Sequence, residues 1–276
     1  MLIAVWKELK KAPFTAWFGI AVILCYIIVA FFAPVLSPYG ETQVVGDEYA
    51  PWTSEFLLGT DNIGRDMLSR LLYGARNTVG IAFVTTCLAF FIGGMAGLIA
   101  STVGGWTDQI LSRVVDVLMA IPQLIFALLL LTIVGTNVVN MILIIALLDS
   151  TRVFRLARAV ATNVVVMDFV EVARLRGEGI WWLIRHEVLP NSTAPLIAEF
   201  GLRFCFVFLL IAALSFLGLG IQPPTADWGS MVRENATLIT FGDITPLLPA
   251  AAIALLTVAV NFVVDWMLHA SSGLKD

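Results

Sequence analysis

The residues of this 276-residue chain that could do chemistry are few, and the most informative stand where charge is expensive. Glu199 and Arg203 lie four apart in a largely apolar stretch, acid first, the favourable order for an ion pair along one helix face. Asp149 sits at the end of another apolar stretch. Ionisable groups at membrane depth face a bundle interior, a partner or a water-filled path, because hydrocarbon solvates them poorly. Three roles are open to Glu199 and Arg203: a self-neutralising structural pair, a bridge to a partner subunit, or a path-lining pair that reads the charged ends of a zwitterionic solute. For Asp149 the structural alternative is a helix–helix hydrogen bond. Ser215 lies in an apolar helix with no base at its depth, which removes the nucleophile reading. His186 and His269 are isolated, and Cys25, Cys87 and Cys205 are scattered through apolar runs, so neither a metal site nor a disulfide framework is expected. No Gly-x-x-x-x-Gly-Lys-Ser/Thr loop occurs, so the chain has no phosphate cradle of that kind.

The elements that position these residues follow from composition. Hydrophobic residues make up 59% and charged ones 13%, about half the ~25% of a soluble domain. Such a chain cannot clothe a water-soluble surface, and its uncharged runs far exceed the ~10 residues of a barrel strand. It reads as an all-α integral membrane protein. Its net charge of −4 and lack of a basic run argue against nucleic acid. Spans of ~20 residues fit near 14–36, 78–103, 111–134, 138–157, 192–219 and 244–267, six transmembrane helices in all. The first has a basic start but is too long for a signal-peptide core, so it is read as retained. With the N-terminus inside, inner segments hold eleven of the sixteen Lys and Arg and outer segments four, Arg203 being within a span. Both termini are therefore expected in the cytoplasm. Gly93, Gly97 and Ser101 form a small-residue stripe suited to close helix packing, and Pro122 marks a kink.

Three segments lie outside the spans. The outer loop 37–77 ends in Met67, Leu68, Leu71 and Leu72 on one face, the pattern of a short helix lying on the membrane surface, with Thr60 or Asp61 as N-cap. A second outer loop covers 220–243. The inner segment 158–190 alternates charge with apolar residues at helical spacing and is interrupted by Gly177 and Gly179. Two short helices meeting at a glycine bend are expected there, with a surface suited to docking a soluble partner.

The inner segment carries Phe169-Val170-Glu171-Val172-Ala173-Arg174-Leu175-Arg176-Gly177 and, further on, Leu189-Pro190. This resembles the EAA loop of bacterial ATP-binding-cassette importer permeases. Leu58-Gly59-Thr60-Asp61 with Gly64-Arg65-Asp66, and Leu214 to Pro224 followed by Trp228-Gly229, resemble the dipeptide/oligopeptide/nickel group, in particular its second, C-type subunit. The likeness runs from about Leu2 to Leu268. Val172 replaces the usual first alanine of the EAA core, and Asp149-Ser150-Thr151 stands where relatives commonly carry an aromatic–proline step.

The resemblance implies a type I importer permease fold in the bacterial inner membrane, with a permease domain over 14–267 between short cytoplasmic ends, 1–13 and 268–276. It implies that Glu171, Val172, Ala173, Arg174, Arg176, Gly177, Leu189 and Pro190 couple the permease to an ATPase. It implies partners: a related second permease, two ATPase subunits that bind ATP and Mg, and a periplasmic solute-binding protein. This chain itself would carry no cofactor and perform no catalysis. Asp149, Glu199, Arg203 and Ser215 are the candidates for the path or an interface. The solute implied is a di- or oligopeptide, with nickel chelates, opines, glutathione or sugars as alternatives. A stand-alone secondary transporter would need coupling-ion sites and repeat symmetry, and no clear repeat is present.

Overall fold

The computed structural model describes residues 12–272; the basic stretch with Lys7, Lys10 and Lys11, and the tail with Lys275, lie outside the described residues. The regular elements among them are helices, and two isolated β-bridges, Val44–Arg65 and Thr60–Asp66, pair backbone across loop 37–77. Helix α1, Phe14–Leu36, is uncharged throughout and starts just after Pro13, whose fixed φ suits a helix entry. Helix α2, Met67–Gly74, passes through a π-turn at Ala75–Val79 into α3, Gly80–Val103. Together they form one 37-residue apolar helix. Helices α4, Gly105–Met119, and α5, Gln123–Val134, meet at a bend of 87°. Helix α6, Val138–Val165, is followed by the short α7, Asp168–Leu175. Helix α8, Ile180–Leu183, runs through a second π-turn, Ile184–Val188, into α9, Leu189–Phe216, again giving one 37-residue helix. Then come α10, Trp228–Asn235, a 3₁₀ turn at Ala236–Phe241, and α11, Leu247–Ser272.

Among the described residues four helices are long and apolar enough to cross a membrane, 14–36, 67–103, 180–216 and 247–270, and the bent pair 105–119 and 123–134 makes a fifth span if it crosses as one. The remaining two expected spans need correction. The span over 111–134 is not one helix; Ile121 and Pro122 break it, because proline cannot continue the hydrogen-bond ladder and forces its predecessor out of the α region. The span over 138–157 continues to Val165, carrying Asp149, Arg152, Arg155 and Arg158 on a long amphipathic helix. The expected surface helix after residue 66 is instead the head of the long helix 67–103, since nothing breaks the chain at residues 75–79 beyond one widened turn.

The core gathers around α9. Phe204, Val207, Phe208, Ile211 and Leu214 meet Leu131 of α5, Met141 and Ile145 of α6, Leu256 and Val260 of α11, and Trp228 of α10. The expected small-residue stripe is the seam between α3 and α6. A Cβ on Gly93 would fall 2.9 Å from both the Ser150 carbonyl carbon and Val153 Cβ, and one on Gly97 would lie 2.8 Å from the Phe154 carbonyl oxygen. Only glycine allows this approach of backbones.

Candidate functional site

Three clusters position the residues singled out above. The first is the segment around Gly177. Helix α7 has Asp168 and Glu171 in its first turn and Arg174 in its last, each sign placed to suit the helix dipole. Val170 and Ala173 are fully buried, against Leu98 of α3, Ala161 and Val164 of α6, and Leu183, Ile184 and Val188 at the foot of α9. The opposite face leaves Phe169, Val172 and Leu175 exposed, Leu175 by 81%. Arg174 Nη2 donates to the Thr102 carbonyl at 2.8 Å, in the open last turn of α3. The glycine bend is a Schellman motif: Glu178 N–H reaches the Ala173 carbonyl and Gly177 N–H the Arg174 carbonyl, with Gly177 at φ +86°. Across the bend, the Arg176 guanidinium lies 5.7 Å from the Trp182 ring, which stacks on His186 at 4.7 Å.

The expected second short helix is the foot of the helix 180–216. Pro190 accordingly sits inside a continuous helix and not at its start. The preceding π-turn absorbs it: Leu189 N–H reaches back to Ile184, shifting the ladder where proline has no donor. Leu189 is half-buried and Pro190 exposed.

The second cluster lies at membrane depth and joins residues that the sequence leaves on separate spans. Arg203 Nε is 2.8 Å from Glu199 Oε1 along α9, and its Nη1 is 3.6 Å from Asp149 Oδ1 on α6. The guanidinium rests over Phe206, 4.6 Å from the ring centre. Gln123, at the head of α5, is the amide beside Asp149, yet neither Asp149 oxygen has a partner in hydrogen-bonding geometry. Ser215 is not part of this cluster. It is 1% exposed, and its Oγ accepts from Ile221 N–H in the turn that follows α9.

The third cluster, in loops 37–77 and 220–243, was missed as a unit. Asp66, not Thr60 or Asp61, caps α2, accepting from Ser69 N–H at 2.7 Å. Asp61 is instead the hub of a buried charge network, 2.6 Å from Arg65 Nε and 2.5 Å from Arg70 Nη1, with Glu234 Oε2 at 3.4 Å from each arginine. Asp227 caps α10 through Ser230 N–H and accepts from Thr78 Oγ1; Trp228 Nε1 donates to the Leu71 carbonyl. Burial pushes the Asp227 carboxyl up from its ordinary range, against the capping bonds from Ser230 and Thr78. Burial also raises Glu234, against the pull of Arg65. The repeated Gly, Asp and Arg of 59–66 were the available signal, since charges so dense in a loop otherwise stay solvated.

Among the described residues no group of His, Cys, Asp and Glu could hold a metal ion. A helical membrane protein with one short helix braced beneath its long ones has the outline of a channel or carrier component. Comparison with known proteins makes this specific. Residues 89–272 match the family described as the binding-protein-dependent transport system inner membrane component, and residues 2–51 match the N-terminal TM domain of oligopeptide transport permease C. The chain is 34% identical over 272 residues to the dipeptide transport system permease protein DppC of Alkalihalophilus pseudofirmus, covering 98% of this chain and 86% of that one. It is 34% identical over 265 residues to the di/tripeptide permease protein DppC of Pseudomonas aeruginosa, covering 94% and 85%. It is 30% identical over 278 residues to the glutathione transport system permease protein GsiD of Pectobacterium atrosepticum, covering 98% and 88%. The chain belongs to the family of binding-protein-dependent transport system inner membrane components. It is a multi-pass inner-membrane permease subunit of an ATP-binding-cassette importer, and ATP is hydrolysed by separate subunits.

Proposed function

We propose that this chain forms one half of the translocation path of a bacterial importer for di- or oligopeptides. A related permease supplies the other half, two ATPase subunits that bind ATP and Mg drive it, and a periplasmic solute-binding protein delivers the solute. The permease domain spans 14–267, with loops 37–77 and 220–243 outside, segment 158–190 inside, and the flanks 1–13 and 268–276 in the cytoplasm. The observation that carries this reading is the face of α7. Phe169, Val172 and Leu175 are exposed on a helix whose other face is locked to α3, α6 and α9. A short rigid helix with an apolar outward face suits a groove on an ATPase and passes displacement to three long helices at once. Glu171, Val172 and Leu175 then contact the ATPase, whereas Ala173, Arg174 and Arg176 hold the helix to the permease. Asp149, Glu199 and Arg203 stand at the path or at the contact with the second permease. The peptide solute follows the dipeptide and di/tripeptide systems among the relatives.

The test is reconstitution of the complete assembly in proteoliposomes, with uptake of labelled dialanine and capture of the ATPase measured for Leu175→Asp. Leu175 makes no core contact, so the variant should insert normally while ATPase capture and uptake fall together. Normal capture and uptake would refute α7 as the coupling element.

A further inference from the structure

The Asp149–Arg203–Glu199 cluster sets two acids against one buried base, and Arg152, exposed one turn further along α6, acts on Asp149 from outside. Its two carboxylates are not equivalent. Asp149 is fully buried, while Glu199 keeps 19% of its side chain exposed. Along α9, Pro195, Phe206 and Leu209 are exposed and Glu199 and Ala213 partly so on one face, opposite Phe204, Phe208 and Ile211 in the core, while nearer the foot of the helix Ile197 is exposed on the other side. An acid on an uncovered face at this depth cannot be left to acyl chains at low cost, so this face meets water or protein.

Arg203 meanwhile has two seats. Its Nε lies 2.8 Å from Glu199 Oε1 and its Nη1 3.6 Å from Asp149 Oδ1, neither contact in hydrogen-bonding geometry, so the guanidinium can lean to either acid. A small rotation of the guanidinium toward α6 would neutralise Asp149 and release Glu199 onto the uncovered face. Asp149 is the more deeply buried of the two acids, so it gains the more from the guanidinium.

We propose that Glu199 is the contact for the protonated amino group of the solute, and that Asp149 takes Arg203 in exchange as the solute arrives. Counted without the exposed Arg152, the empty cluster holds one negative charge in excess; occupied, it is neutral. A solute without an ammonium group leaves that charge uncompensated, so the exchange selects for a free amino group within the path. This assignment rests on the reading that the face lines the path of a peptide importer.

Glu199→Gln separates this role from a structural one, because it leaves Arg203 paired with Asp149 and the cluster neutral. The assay is uptake of labelled dialanine by the complete assembly in proteoliposomes, with ATP hydrolysis and assembly yield measured alongside. Glu199→Gln should assemble normally, cut the maximal uptake rate at least tenfold and raise ATP hydrolysed per peptide by a similar factor. Glu199→Asp, which keeps the charge, should restore most of the rate. Uptake unchanged in Glu199→Gln would overturn the assignment. So would loss of assembly in both variants, which would mark the cluster as a structural bridge. No dialanine uptake by the unaltered assembly would instead strike the peptide reading itself, and needs no variant to be recognised.

Discussion

Gly93 and Gly94 are neighbours in α3, yet adding one methyl group to each should have opposite effects. A Cβ on Gly93 would lie 2.9 Å from the Ser150 carbonyl carbon and from Val153 Cβ, and closer still to the Ser150 carbonyl oxygen. Ordinary carbon–carbon contact begins near ~3.5 Å, so α3 and α6 must part by at least ~0.6 Å. The atoms struck belong to backbone and to a β-branched Cβ, neither of which can rotate away. A gap of that size forfeits a quarter to a half of the dispersion well along the seam, and overpacking of this kind costs about 1–3 kcal/mol. At a few degrees per kcal/mol for a chain of this size, Gly93→Ala should lower the melting temperature by roughly 5 °C. Gly94 has nothing within 4 Å of its would-be Cβ. Gly94→Ala removes backbone freedom from the unfolded chain and should leave stability unchanged or raise it by up to ~1 kcal/mol. The assay is thermal unfolding in one detergent, followed by tryptophan fluorescence or by aggregation. Equal melting temperatures for the two variants would refute the close-packed seam.

Asp61→Asn leaves Arg65 and Arg70 only the more distant Glu234, and breaking a buried pair from one side costs about 3–5 kcal/mol; an unchanged melting temperature would show that the network does not brace the loops. Gly177→Val places a β-branched residue at φ +86° with nothing nearby to clash, so insertion should be normal while ATPase capture weakens, and full capture and uptake would refute the need for the bend. Cysteines introduced at Glu55 and Thr240 should react with a membrane-impermeant maleimide in intact cells, and one at Glu178 only after permeabilisation. Labelling of Glu178 from outside would invert the topology.

The sequence showed its elements wherever length and apolarity sufficed, as at 14–36 and, three residues early at each end, 244–267 for the helix 247–270, because hydrocarbon thickness dictates both. It also showed Gly177 as a bend and Glu199–Arg203 as a pair, since each depends only on near neighbours. It misled at 111–134, where Pro122 was read as a kink in one helix although two helices meet there at 87°. Nothing in a single sequence says how sharply the flanking helices part once the ladder is broken. Asp149 meeting Arg203, and Arg70 meeting Glu234, depend on which helices pack together. Pairs 54 and 164 residues apart leave no periodic trace. Ser215 was drawn toward the path by its apolar surroundings, yet its hydroxyl serves the turn before Ile221.

The two 37-residue helices each exceed the ~20 residues a bilayer requires. In the coupling proposed above, the helix 180–216 acts as a lever. Taking Phe208, deep in the core, as its fulcrum, Trp181 lies 27 residues away and Arg203 only 5, arms of about 40 Å and 8 Å at ~1.5 Å per residue. Such an arrangement trades distance for precision. A swing of roughly 5 Å at Trp181 arrives at Arg203 as about 1 Å, which is the order of motion that separates its present 3.6 Å approach to Asp149 from a bonded one.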